Sequence, residues 1–240
     1  MCIRDRLTSD STITSNPHLF KSLSYDPVRD LVPVTQLINL VQLVVAHPAL
    51  GASSIAELVT MARVKGSILN YASYGIGSQP HLLFEMLKKQ TGIGIEQIPF
   101  KGIAPAVTAV IAGETQLTLA GSALVAGHLK SGRLKPLAVA GKTRQPSHPD
   151  LPTLAETGYA GIDPRSWFGL FAPAGTPPAL IDRISKSVAA VYALPEFRSR
   201  YVEGAGHVAA VGAPAAFAAF IAEDMAYKKQ LIAATGITAD

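Results

Sequence analysis

The stretch ILNYASYGIGSQPHLLFEML, Ile68 to Leu87, decides the fold. Ile68-Leu69-Asn70-Tyr71-Ala72 is an apolar run of the length of a buried strand. Ser73, Gly75, Gly77 and Ser78 then form a loop of small residues. Pro80 suits the first turn of a helix, where its missing N–H costs nothing. Leu82, Leu83, Met86 and Leu87 recur at helical spacing, and Gly92 stands just past the end. The order is strand, glycine loop, helix. The first amides of a helix lack internal partners and carry the positive end of its dipole, so this loop suits a carboxylate or a phosphate.

Other descriptions of the loop compete. Gly75-Ile76-Gly77-Ser78-Gln79-Pro80 begins like the dinucleotide motif G-x-G-x-x-G but ends in Pro, away from the start of a Rossmann unit. Ser73 on a strand-to-helix turn suggests a nucleophile elbow, yet that pattern wants Gly where Tyr71 stands. The plainest description is a tight turn with a serine N-cap. The loop alone does not separate these readings.

The wider composition narrows the classes. With 48% hydrophobic and 16% charged residues over 240 positions, the chain can bury a sizeable core and is not a disordered polymer. The net charge of +4 comes from scattered Lys and Arg without interleaved aromatics, which argues against nucleic acid. One cysteine, Cys2, leaves no internal disulfide. The longest apolar candidate for a membrane span, Leu37 to Leu50, is interrupted by Asn39, Gln42 and Pro48. Met1-Cys2-Ile3-Arg4-Asp5-Arg6 is charged, lacks the apolar core of a signal peptide and reads as foreign to the domain.

Along the chain, Leu7 to Thr12 reads as a polar loop at the end of a truncated strand. Leu37 to Ala46 is expected as one strand. Ser54-Ile55-Ala56-Glu57 is a capping box ahead of a helical face of Ile55, Leu58, Val59 and Ala62. After the central stretch come a strand at Ile95–Ile98, a loop at 99–102, a helix from Ala104 to Ala112, a strand at Thr115–Ala120, a helix opened by Gly121-Ser122, and a strand at Leu134–Ala140. Such alternation predicts a parallel sheet whose ligands bind beyond the carboxyl ends of its strands, where the loops at 73–78, 99–102 and 120–122 converge. Gly141 to Arg165, with a short helix near Leu154, reads as a linker. Trp167–Ala172 is a strand with core aromatics, and a long amphipathic helix runs from Pro214 to Ala234.

Catalytic signatures are weak. The six histidines show no metal-ligand spacing. Lys101 is either an anion neighbour or a solvated lysine.

Several blocks in order carry a resemblance. They are Asn70-Tyr71-Ala72-Ser73 with Gly75, Gly77-Ser78 and His81-Leu82; Pro99-Phe100-Lys101-Gly102 with Ala104-Pro105-Ala106; and Tyr25-Asp26-Pro27 before Val32-Pro33-Val34-Thr35. Further on stand Leu151-Pro152-Thr153-Leu154-Ala155-Glu156-Thr157-Gly158, Trp167-Phe168-Gly169-Leu170 and Ala172-Pro173-Ala174-Gly175-Thr176-Pro177. From about Leu7 to the C-terminus the chain resembles the substrate-binding receptors of tripartite tricarboxylate transporters, the Bug family.

The resemblance implies a two-lobed, type II periplasmic-binding-protein-like α/β fold with parallel-rich sheets flanked by helices. It implies a periplasmic, non-catalytic receptor without cofactor or metal, expected as a monomer, that closes on a small organic acid or amino acid and delivers it to membrane subunits. By the same resemblance, the ligand is held by Ser73, Gly75, Gly77 and Ser78. Ser9, Ser11 and Thr12, Lys101 and Gly102, and Ala120, Gly121 and Ser122 complete the cleft. Lobe one is expected at residues 1–44 and 166–240, and lobe two at 45–165. The family's usual signal peptide, first strand and Pro-Gly-Gly loop are not found before Leu7, so the chain reads as N-terminally truncated. Many members carry Asp where Ala120 stands, so Ala120 favours a ligand without an amino group. The alternatives are an α/β hydrolytic enzyme with Ser73 as nucleophile, and a sensor module of similar fold.

Overall fold

The computed structural model describes residues 6–64, 66, 68–145 and 147–239. The N-terminal hexapeptide read above, apart from the backbone of Arg6, lies outside the described residues. The strands are β1 (Arg6–Ser9), β2 (Leu31–Leu40), β3 (Gln42–Ala46), β4 (Leu69–Ser73), β5 (Ile95–Pro99), β6 (Leu117–Gly121), β7 (Lys135–Ala140), β8 (Trp167–Pro173) and β9 (His207–Ala209). The α-helices are α1 (Asn16–Leu19), α2 (Ile55–Ala62), α3 (Gln79–Thr91), α4 (Ile103–Ala112), α5 (Ser122–Lys130), α6 (Pro178–Tyr192), α7 (Pro195–Phe197) and α8 (Pro214–Thr235). They form two compact units, one of residues 1–40 and 165–240, the other of 41–164.

The first unit is built on a four-stranded sheet in the order β1-β8-β2-β9. Every neighbouring pair in it runs antiparallel, so the expectation of parallel-rich sheets is corrected here. The reason is connectivity: β1, β2, β8 and β9 come from two distant segments rather than from repeated strand–helix–strand units. Leu7 to Thr12, read as a polar loop at the end of a truncated strand, supplies Leu7 to Ser9 of β1, which pairs with Phe168–Phe171, and then enters a π-helical turn at Ser11–Ser15. Side chains alternate across β8. Trp167 and Phe171 face Ile13 and the α8 residues Phe217, Phe220 and Ile221, while Ala172 and Leu170 pack with Val34, Ile181 and Ile184. Gly169 lets α8 come close, since a Cβ there would stand 2.3 Å from the Phe217 ring.

The interior of this unit also holds charge. On α8, the buried residues Phe217, Asp224, Lys228 and Leu231 mark one stripe at near-heptad spacing. Lys228 Nζ donates to the Arg165 carbonyl at 3.0 Å and lies 3.4 Å from the Asp10 carboxylate. Asp224 Oδ2 accepts from Thr14 Oγ1 at 2.7 Å and from Trp167 Nε1 at 2.9 Å, and its Oδ1 faces the Arg165 guanidinium at 3.8 Å.

The second unit has a five-stranded sheet, β5-β4-β6-β3-β7. β4 runs parallel to both β5 and β6, while β3 is antiparallel to β6 and β7. Parallel order is thus confined to three strands. Residues 37–46, expected as one strand, split at Val41 into β2 and β3 of different sheets. Both faces of the second sheet are covered. Val44, Ala46, Leu69 and Tyr71 face α2 and α3, where Tyr71 stacks on Phe84 with ring centroids 4.5 Å apart. Leu43, Val45, Ala72 and Ala120 face Val107 and Val110 of α4 and Val125 of α5. β4 and β6 share a single backbone bridge, Tyr71 to Leu117, and side chains reinforce it: Gln116 Oε1 accepts from Asn70 N–H and Thr118 Oγ1 donates to the Ala72 carbonyl.

The segment from Gly141, expected as a linker, belongs to the second unit through Pro164, and Leu154 and Ile162 lie in its core. The helix expected near Leu154 is a turn, in which Thr153 N–H donates to Glu156 Oε2 and Glu156 N–H to Thr153 Oγ1. Among the described residues no helix is long and apolar enough to cross a membrane.

Candidate functional site

Because β5, β4 and β6 are parallel neighbours, their carboxyl ends lie along one edge of the second sheet. β4 and β5 are each followed by a loop and a helix, and β6 by a helix directly, so α3, α4 and α5 all begin there. Three positive helix ends therefore gather on this edge. Gly102 at φ 116° caps α4, and Gly121 caps α5.

In the loop from Ser73 to Ser78 several amides already have partners. Gly77, at φ 71°, donates its N–H to His81 Nδ1 at 3.1 Å. The Gly75 N–H donates to Ser73 Oγ at 3.3 Å, and the Ser78 N–H to the Gly75 carbonyl at 3.3 Å. Ser78 stands at the N-cap of α3, but its hydroxyl donates to the Gly75 carbonyl at 2.7 Å rather than capping the helix. The plain serine N-cap is therefore not what this turn contains. His81 accepts at Nδ1, which puts its proton on Nε2. Burial holds its pKa below the ordinary value, Glu85 opposing and Lys88 reinforcing that shift.

Ser73 is the most constrained polar group of the edge. Its side chain is buried, and its Oγ accepts from Gly75 N–H and from Gln97 Nε2 at 2.7 Å. A hydroxyl oxygen has two lone pairs. With both engaged, Ser73 has only its proton to offer. Neither partner is a histidine, and a nucleophile needs a free lone pair and a base to take its proton. The hydrolytic reading has no support in this geometry.

The remaining expected residues fall in two places. Lys101 is exposed, Ala120 is buried at the end of β6, and Ser122 is buried in the first turn of α5, so these join the edge along with Gly102 and Gly121. Ser9, Ser11 and Thr12 belong to the first unit. Ser9 ends β1, and the Thr12 carbonyl accepts from the Tyr25 hydroxyl at 2.7 Å.

Sequence reasoning missed Gln42 and Gln79. Both are buried, and the Gln42 Nε2 donates to Gln79 Oε1 at 3.2 Å; Tyr74 donates its hydroxyl to the same oxygen. The available signal was a glutamine inside the apolar run Val41 to Ala46.

Over residues 6–237 the chain matches the family described as "Tripartite tricarboxylate transporter family receptor". The chain belongs to this family. Among members, it is 31% identical over 181 residues to Protein BugT of Bordetella pertussis, covering 75% of this chain and 56% of BugT. It therefore spans little more than half the length of that relative. Among solved structures of two-lobed periplasmic binding proteins, Rpa4515 of R. palustris with adipate superposes with a TM-score of 0.89 at 28% identity, over 97% of this chain and 77% of that one. MatC (Rpa3494) from Rhodopseudomonas palustris with bound malate gives 0.82 at 25% identity, over 95% and 77%. This family membership accounts for the mixed α/β architecture.

Proposed function

We propose that this chain is an extracytoplasmic, periplasmic solute-binding receptor that captures a small carboxylate for the membrane subunits of a tripartite tricarboxylate-type transporter. It acts as a monomer and catalyses no reaction. The observation that carries the reading is the carboxyl edge of β5, β4 and β6. There the proton of Ser73 and the positive ends of three helices favour an anion, and the small residues Gly75, Gly77, Ser78, Gly102, Ala120, Gly121 and Ser122 leave room for it. Lys101 adds a solvated positive charge to one loop. The family description supports the transporter partner, and relatives solved with adipate and with malate support the class of ligand.

The test is a thermal-shift screen of organic acids and amino acids on the full chain, followed by calorimetric titration. A ligand that binds only the folded state stabilises it by about 2.7 kcal/mol at a hundredfold excess over Kd. Selective stabilisation by a carboxylate is the expected result. A flat response to every acid would overturn the proposal.

A further inference from the structure

Gln42 opens β3, with its backbone opposite Gly121 of β6 and Ala140 of β7. It therefore sits on the edge where α3 and α5 begin. Its side chain is only 6% exposed. Gln79 Oε1, at the first position of α3, receives both Gln42 Nε2 and the Tyr74 hydroxyl, so both of its lone pairs are occupied. In this arrangement the Gln42 amide points its nitrogen toward Gln79 and its oxygen away. Gln42 Oε1 is buried and accepts no hydrogen bond. An orphaned buried acceptor is destabilising and calls for a partner.

We infer that Gln42 Oε1 is the acceptor for a hydroxyl group on the ligand, which makes the preferred solute a hydroxycarboxylate; this rests on the carboxylate-receptor reading above. A carboxylate has only acceptors at neutral pH, so a second carboxylate oxygen is repelled by the Gln42 oxygen and a neutral O–H donor is attracted. An ammonium group also donates, but it brings a full charge. The loops at 73–79, 100–103 and 120–122 contain no Asp or Glu to balance that charge. A buried cation beside neutral amides is poorly compensated. A site with a placed hydrogen-bonding group discriminates against analogues that lack the matching donor.

The experiment is calorimetric titration of the full chain with succinate, malate and aspartate, which share two carboxylates and differ at one carbon by hydrogen, hydroxyl or ammonium. Malate is expected to bind about tenfold more tightly than succinate, the scale of one hydrogen bond, with aspartate weakest. Gln42→Met keeps the length of the side chain without the acceptor and should bring malate to the affinity of succinate, with a circular dichroism melt to verify folding. If that variant does not fold, the malate-to-succinate ratio of the unaltered chain still decides. Equal affinities for the two, or a hydroxyl preference that survives Gln42→Met, overturns the role of Gln42 and leaves the receptor reading standing. Binding of none of the three overturns the inference as well, and the thermal-shift screen then decides separately whether any carboxylate is a ligand.

Discussion

In the first unit, Asp10, Asp224 and Lys228 are fully buried side chains of acidic and basic type. In the second, the polar side chains buried along the carboxyl edge, Gln42, Ser73, Ser78, Gln79, His81 and Ser122, include no acidic residue, lysine or arginine, and burial favours the neutral form of the His81 ring. The charged set is paired within itself: Lys228 meets Asp10 and the Arg165 carbonyl, Asp224 Oδ2 accepts from Thr14 and Trp167, and Asp224 Oδ1 accepts no hydrogen bond but faces the Arg165 guanidinium at 3.8 Å. The neutral set is open, with the Ser73 proton and the Gln42 oxygen left over. The difference has a physical sense. A binding edge must be stable while empty, and a buried full charge awaiting its counter-ion would be costly. Helix ends and hydroxyls can meet a carboxylate without that cost. The paired set acts as structure, tying α8 to the start of the chain and to Arg165, which at φ 36° is the one non-glycine residue with positive φ among those described.

The largest effect should come from breaking the paired set. Lys228→Met removes the cation that lies 3.4 Å from the buried Asp10 carboxylate and is expected to cost about 3–5 kcal/mol. Trp167 is the only tryptophan and donates to Asp224, so its fluorescence reports on the first unit. The denaturation midpoint followed by fluorescence should fall sharply. Adding Asp10→Asn should recover much of the loss, because neither charge is then left alone. A Lys228→Met chain with an unchanged fluorescence midpoint would break the comparison between the two units.

A smaller effect on stability, but a complete one on binding, is expected from Gly77→Val. At φ 71° a β-branched residue is strained by about 1–3 kcal/mol. Its side chain would also stand in the loop that ends at α3. Calorimetry on the carboxylate selected by the screen should show no heat of binding, while circular dichroism shows a folded protein. Retained affinity would move the site away from this loop.

Ser73→Ala should act more mildly still. It removes the one proton that Ser73 can offer and should weaken the same carboxylate by about 0.5–1.5 kcal/mol. Stability should change little, because Gln97 is half-buried and can turn to solvent. An affinity equal to that of the unaltered chain would remove Ser73 from the site and sharpen the case for the helix ends.

The strand–loop–helix at the centre was legible because each part has a local cause: an apolar run for β4, small residues for the loop, and Pro80 with the spacing of Leu82, Leu83 and Leu87 for α3. The break at Val41 was not. β2 and β3 form one continuous β-prone run, and periodicity does not say to which sheet a strand belongs. The paired charge cluster was equally hidden. Asp10 and Lys228 are far apart in sequence, and Asp224 and Lys228 lie on the buried stripe of their amphipathic helix, where charge is not the rule. The partners of the glycine-loop amides were hidden for a related reason. Whether Gly77 N–H meets a ligand or the His81 ring depends on a rotamer that spacing does not reveal.

That contact gives the smallest and most specific prediction, a dependence on pH. The pKa of His81 is held below its ordinary value of 6.5 mainly by burial, and those of His18 and His207 are lowered for the same main reason. A base whose folded pKa is depressed stays neutral in the folded chain while the unfolded chain takes up a proton. Stability is therefore undiminished above 6.5, falls as pH drops below 6.5, and levels off beneath the folded pKa values. For His81 the cause is visible in the loop: a protonated ring has two donors and no acceptor, so Gly77 N–H would lose its partner. His81→Gln replaces the ring with an acceptor that does not titrate. Denaturation midpoints measured from about pH 7.5 down to about pH 5.5, ahead of most carboxylate protonation, should fall in the unaltered chain and fall less steeply in the variant. The residual slope belongs to His18 and His207. Identical slopes in the two chains would mean that the neutral His81 ring does not hold the loop.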